Sequence, residues 1–170
     1  MHRLSRISIL ALLTFALVPA WAFAQSSAAP SAQKESVVTK HASGPFDVKV
    51  TPQPTSDKSE TPLGRYTLDK QYHGDLEASG TGEMLTAGTP VKGSGAYVAI
   101  EKVTGTLQGR SGSFVLQHTG TMTNNMPQLT VTVVPDSGTG QLAGIAGKMT
   151  INMAGGKHSY DFEYTLPDTK

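Results

Sequence analysis

Cysteine is absent from all 170 residues of the chain. This absence excludes disulfide bonds, thiol nucleophiles and metal sites built on cysteine thiolates. The fold must therefore be held by its hydrophobic core alone. A core can do this at the present size, because a domain of about 150 residues buries about two-thirds of the surface that its unfolded chain exposes.

An excess of one charge is also absent, since 14 lysines and arginines stand against 13 aspartates and glutamates. No basic cluster of the kind that binds nucleic acid is present, so nucleic acid is not expected as a partner. The sequence also lacks an HExxH zinc motif, a serine-hydrolase pattern and a paired-carboxylate signature. It consequently points to no cofactor and no metal site.

The sequence has a single long apolar run, at residues 7–18. This run follows Arg3 and Arg6 and precedes Ala22-Phe23-Ala24. This order is typical of a cleaved export signal, and the run is shorter than the roughly 20 residues that span a bilayer. We predict cleavage after Ala24, a periplasmic or secreted protein, and no membrane span. An uncleaved anchor is the alternative.

Removal of residues 1–24 leaves 146 residues with 12 basic and 13 acidic side chains, which is one domain by length. Residues 25–42 are rich in Ser, Ala and Gln and are predicted to be a disordered linker before a folded domain at 43–170. That domain shows no helical period. It contains eight runs with the period of two that is typical of strands, at 46–51, 64–72, 75–85, 95–108, 112–123, 128–134, 147–154 and 157–166.

The last two runs predict a hairpin that turns at Gly155-Gly156. Pairing across this turn places Met149 opposite Phe162 and Ile151 opposite Tyr160 on an apolar face. The same register places Lys148 opposite Glu163 on the other face. We expect Phe162 and Ile151 to be deeply buried and the two charged residues to be exposed.

The longest predicted hairpin extends from Tyr97 to Thr121. If Arg110-Ser111 forms its turn, Glu101 lies opposite Gly120 and diagonal to His118 on the inward face. Eight strands in consecutive hairpins, each with one apolar face, predict a closed antiparallel eight-stranded β-barrel. A two-sheet sandwich is the alternative.

Two resemblances support a barrel. The stretch GTGQLAGIAG at 138–147 resembles the GTG-x-aromatic-x-G-A-x-G stretch of plant allene oxide cyclases and dirigent proteins, with Leu142 and Ile145 departing from it. Nearly the whole mature domain resembles the bacterial domain-of-unknown-function 3224 family, through HGDLEASGTGEML, YVAIEKVTGTLQGRSGSFVLQH, VVPDSGTGQLAGIAG and GKHSYDFEYTL. The resemblance implies an allene oxide cyclase-like barrel and no defined activity.

Glu101 and His118 are the first candidate site, since a carboxylate beside an imidazole can move a proton or orient a ligand. A buried pair that serves only the structure is the alternative. Tyr97 continues the same face near the mouth. His158 and Tyr160, with Tyr164, are further ligand-binding candidates, or else core aromatics whose polar tips bond the backbone.

Lys70, Tyr66 and Tyr72 form a third group. An inward Lys70 would be an unusual interior cation and a candidate contact for an anion. We expect instead that a bulge near His73 turns it outward, or that its ammonium reaches the rim. The glycine-rich loop at 138–147 does not match a phosphate loop, because Met149 instead of Ser or Thr follows Lys148 and Leu142 stands where a glycine is required. We predict that this loop packs against the end of the barrel.

The sequence favours non-catalytic binding of a small, partly apolar molecule inside the barrel. The alternatives are a lyase- or isomerase-like enzyme that uses Glu101 and His118, and a scaffold whose barrel is filled. The oligomeric state is left open.

Overall fold

Eight antiparallel strands follow one another along the chain and close into a barrel, so the predicted barrel is confirmed and the sandwich is excluded. The computed structural model describes residues 38–167; the predicted signal and residues 25–37 of the predicted linker lie outside them. Within 38–167 there is no helix long and apolar enough to cross a membrane. The strands are β1 (Thr39–Gln53), β2 (Leu63–Tyr72), β3 (Leu76–Gly88), β4 (Gly95–Leu107), β5 (Arg110–Thr123), β6 (Met126–Val133), β7 (Ala146–Ala154) and β8 (Lys157–Thr165).

Strand β1 closes the barrel by serving two neighbours. Its first half, from Thr39 to Phe46, pairs with β8, and its second half, from Phe46 to Gln53, pairs with β2. The strand therefore begins seven residues before the predicted start at Phe46, and residues 39–42 belong to the sheet. The sequence pattern did not predict this part of the strand, because its side chains are mostly polar. Its pairing relies on backbone groups and on the buried Ala42.

The register of the β7–β8 hairpin is confirmed. Met149 lies opposite Phe162, and Lys148 lies opposite Glu163 with 2.6 Å between Nζ and Oε2. Phe162 is buried as predicted, but Ile151 is only half-buried. Ile151 lies where the barrel opens, so the prediction of deep burial for this residue was wrong.

The register of the β4–β5 hairpin differs from the prediction. The turn is Gln108-Gly109, both with positive φ (45° and 82°), and Glu101 lies opposite Leu116 instead of Gly120. The pairing is displaced by four residues, an even number, so every inward side chain stays inward. His118 is still diagonal to Glu101, on the other side of its partner.

The two ends of the barrel differ. One end is filled by large buried side chains, including Leu107, Phe114 and Phe162. The Phe162 ring is stacked against the rings of Phe114 and Tyr164. The loop after β6 covers this end, with Leu142 and Ile145 in the core. It makes a single 3-10 turn at Gly140–Leu142. The prediction that this loop packs against the barrel end is confirmed.

Candidate functional site

The other end of the barrel holds a cavity of about 500 Å³. Its walls are mainly apolar and come from all eight strands. They include Val48, Leu68, Met84, Tyr97, Leu129 and Ile151. Lys70, His118 and His158 supply the charged and imidazole groups among its lining residues. The arrangement is a concave apolar site with a few polar groups, which is the usual form of a small-molecule site.

Glu101 lies beneath the floor of this cavity and has no exposed side-chain surface. Its Oε1 accepts a hydrogen bond from the Tyr72 hydroxyl at 2.8 Å, and its Oε2 accepts one from Lys70 Nζ at 2.6 Å. Lys70 Nζ also donates to the Tyr72 hydroxyl at 3.2 Å. The carboxylate is thus held by an ammonium and a phenol, the kind of partners that a buried charge requires.

Two glycines of β3 make room for this carboxylate. A Cβ at Gly80 would lie 2.1 Å from Glu101 Oε1, and a Cβ at Gly82 would lie 2.9 Å from the Cα of Glu101. Lys70 is the β2 partner of Gly80, which places the ammonium on the same side of the sheet. The absence of side chains at these two glycines therefore leaves the space in which Lys70 and Glu101 meet.

His118 Nε2 lies 3.0 Å from Glu101 Oε2, but without the alignment of a hydrogen bond to any described residue. Its side chain is 5% exposed and lines the cavity. His118 thus separates the buried carboxylate from the space above it. Among the residues of β5 that line the cavity, His118 is the one in contact with the Glu101 carboxylate.

The ionisation of Glu101 follows from these contacts. Burial raises the pKa of Glu101, but the close His118 and the charge and hydrogen bond of Lys70 more than offset that effect and lower its pKa overall. We assign the larger share of the lowering to Lys70, because His118 Nε2 is not aligned for a hydrogen bond. Burial and the neighbouring carboxylate raise the pKa of Tyr72, which therefore stays a neutral donor.

The predicted site residues divide into two groups. Tyr97, His118 and His158 line the cavity together, and Glu101 lies below His118. The Tyr97 ring covers Gly120, and a Cβ at Gly120 would lie 2.2 Å from an atom of that ring. Burial raises the pKa of the Tyr97 hydroxyl.

Tyr160 is not among the lining residues. Its hydroxyl accepts a hydrogen bond from Leu76 N at 2.8 Å and donates one to the His73 carbonyl at 3.1 Å. Burial raises the pKa of Tyr160 to about 12. Tyr164 likewise donates to Gln108 Oε1 at 2.7 Å, outside the cavity. The tyrosine hydroxyls of β8 thus match the core-aromatic alternative.

The outward placement expected for Lys70 was wrong. β2 runs to Tyr72 in continuous register with β3, so no bulge intervenes, and the Lys70 side chain is only 7% exposed. Its Nζ also lies 5.2 Å from the centre of the Phe46 ring. The sequence signal for this cation was the pair of glycines on β3, read together with Glu101 on β4.

Residues 38–167 contain no group of three His, Cys, Asp or Glu side chains placed to hold a metal ion. The Lys70 ammonium, the Tyr72 hydroxyl and the His118 imidazole can form hydrogen bonds or pass a proton.

Residues 42–164 match the family described as "Protein of unknown function (DUF3224)". A crystal structure of a protein with unknown function from this family, from Shewanella oneidensis MR-1, is 47% identical to the chain and superimposes with a TM-score of 0.73. The match covers 78% of this chain and 100% of the Shewanella chain. No curated protein matches the chain.

Proposed function

The chain belongs to the DUF3224 family, as its sequence motifs predicted, and we propose that it binds one small, partly apolar molecule in the open end of its barrel. The observation that carries this proposal is the cavity of about 500 Å³, which has apolar walls and Lys70 and His118 at its floor. Pockets of about 300–1,000 Å³ with this composition are typical of small-molecule sites.

The rim of the cavity supports the same function. Several large apolar side chains at the open end are exposed, among them Met122, Leu129 and Met153. Methionine side chains adapt to irregular apolar shapes, so they suit a mouth through which a molecule enters. An apolar molecule in the cavity would cover part of this rim.

Catalysis by Glu101 and His118 has less support. Glu101 does not line the cavity, its oxygens already accept hydrogen bonds from Tyr72 and Lys70, and its pKa is lowered. A general base needs contact with its substrate and a pKa near the working pH. A scaffold with a filled barrel also has less support, because only one end is filled.

Ligand content tests the proposal. Native mass spectrometry of the protein purified from its own host is expected to show a bound small molecule that is released on denaturation. Val48→Trp, which places a large side chain in the cavity wall, is expected to lose that molecule. Val98→Trp is the control, because Val98 lies outside the barrel and is 52% exposed. Wild-type protein that carries nothing would favour the scaffold instead.

We further propose that the protein is exported and cleaved after Ala24. The basic residues, apolar run and small residues of positions 1–24 support this location. An intact-mass measurement on periplasmic or secreted material is expected to show a chain that begins at Gln25. Material that retains residues 1–24 would contradict export with cleavage.

A further inference from the structure

Lys70 has one hydrogen-bond donor to spare. An ammonium carries three N–H groups, and among residues 38–167 Nζ donates only to Glu101 Oε2 and the Tyr72 hydroxyl. The third N–H therefore has no acceptor there, although the side chain is 93% buried and lines the cavity. A buried donor without a partner is costly, so a ligand atom that accepts this hydrogen bond would gain affinity.

The charge around Lys70 is already balanced. Glu101 neutralises the ammonium at 2.6 Å, and Lys70 is the only lysine, arginine, aspartate or glutamate among the residues that line the cavity. An anionic ligand group would bring a second negative charge next to Glu101 without a second lysine or arginine to pair with it. Such a charge is expensive to bury in apolar surroundings.

The walls above the floor of the cavity are mainly apolar and fit an apolar body. Met84, Leu68 and Val48 form walls between the floor and the mouth, and the Phe46 ring is in tilted contact with the His158 ring at 5.2 Å. The side chains of Met84, Leu68, Val48 and Phe46 offer no hydrogen bonds to a polar chain. Affinity for the body of the ligand would come from the apolar area that it removes from water.

Building on the proposed function, we infer that the bound molecule has an uncharged hydrogen-bond-accepting head, such as a ketone, ester or amide carbonyl, on an apolar body. The carbonyl oxygen accepts the third N–H of Lys70, next to His118, and the body lies against the walls towards the mouth. Lys70 thereby acts as the specificity-determining residue of the cavity. No covalent step is involved.

Three probes of one chain length, decan-2-one, decanoate and decane, test this inference by titration calorimetry. Decan-2-one is expected to bind at least tenfold more tightly than either of the others, and its carbonyl stretching frequency is expected to fall on binding. Tighter binding of decanoate, or equal binding of all three, would overturn the inference and leave the proposed function standing. If no probe bound, both would fail.

The variant Lys70→Met/Glu101→Gln removes both charges together, so no unpaired charge is left in the core. It is expected to bind decane as the wild type does, to lose the preference for decan-2-one, and to leave the carbonyl frequency unshifted. Lys49→Met removes an exposed lysine from β1 and is expected to keep the preference. A ketone preference that survived in the double variant would overturn the role of Lys70.

Discussion

Lys70 and Glu101 are both removed from water, so their contribution depends on each other's presence. Taking two charges out of water costs several kcal/mol per ion, and the attraction between them offsets this cost only while both remain. Replacing both by neutral side chains of similar size is often tolerated, whereas removing one leaves an uncompensated buried charge. Because Lys70 balances its charge, Glu101 can be fully buried.

A double-mutant cycle in denaturant melts measures this dependence. Glu101→Gln alone is expected to cost about 3–5 kcal/mol, because it leaves the Lys70 ammonium buried without a partner, and Lys70→Met alone is expected to cost a similar amount. The double variant should cost much less than the sum. The exposed pair Lys148–Glu163 is the control and should show a coupling of at most about 1 kcal/mol. Additive losses at Lys70 and Glu101 would contradict their mutual dependence.

The lowered pKa of Glu101 predicts how stability depends on pH. The folded-state pKa lies below the ordinary value of 4.5, so the unfolded chain binds the proton first as the pH falls. The stabilisation is fully present above that ordinary value and is lost as the pH falls through the folded-state pKa. The difference between wild-type and Glu101→Gln melts should therefore shrink in acid. Lys148 also lowers the pKa of Glu163. Glu163 is present in both proteins, so its contribution to the pH dependence cancels in the difference. A difference that stayed constant in acid would contradict a lowered pKa for Glu101.

At the scale of elements, the strands could be predicted from the sequence because each alternates between one apolar and one polar face. The turn of the β4–β5 hairpin could not. Gln108 adopts a positive φ that its type does not favour. It is held there because its amide donates to the His41 carbonyl and accepts from the Tyr164 hydroxyl. Both partners are more than 50 residues away in the chain, so no local pattern reports them.

The candidate site was predictable in part for the same reason. Glu101 and His118 share the inward face under any even displacement of the hairpin. Their contact survived the incorrect register because a displacement of four residues moves His118 from one diagonal of Glu101 to the other. Lys70 was missed because the placement of an inward lysine depends on the space at Gly80, which belongs to another strand. Sequence periodicity assigns a face to each residue, but contacts across three strands depend on the closed barrel.

The β7–β8 hairpin tests the assignment of faces. Phe162→Ala is expected to cost about 3–5 kcal/mol, because it opens a void between Phe114 and Tyr164 in the filled end. Lys148→Ala is expected to cost at most about 1 kcal/mol, because the ion pair that it removes is exposed. Denaturant melts measure both, and the reverse ranking would contradict the assignment.

At the scale of the whole molecule, the barrel has one filled end and one open end that contains the cavity. The filled end has its own cover, the loop after β6, which is tied to β5 by Thr139 N donating to the Ser113 carbonyl and Val134 N donating to the Val115 carbonyl. The open end keeps its cavity because the strands around it are held in place by closure of the sheet. Closure depends on β1, the strand that bridges β8 and β2.

Truncation at the start of β1 tests this closure. A chain that begins at Val38 retains all of β1 and is expected to melt like the chain that begins at Gln25. A chain that begins at Pro45 lacks residues 39–44, the partners of Tyr160 to Thr165 on β8, and leaves that strand as an open edge. Each lost backbone hydrogen bond contributes about 0.5–1.5 kcal/mol, so the loss is expected to reach several kcal/mol, with aggregation through the exposed edge. Denaturant melts and light scattering on the three chains measure both effects. Equal stability of the Val38 and Pro45 chains would mean that the first half of β1 is dispensable, as expected of a linker.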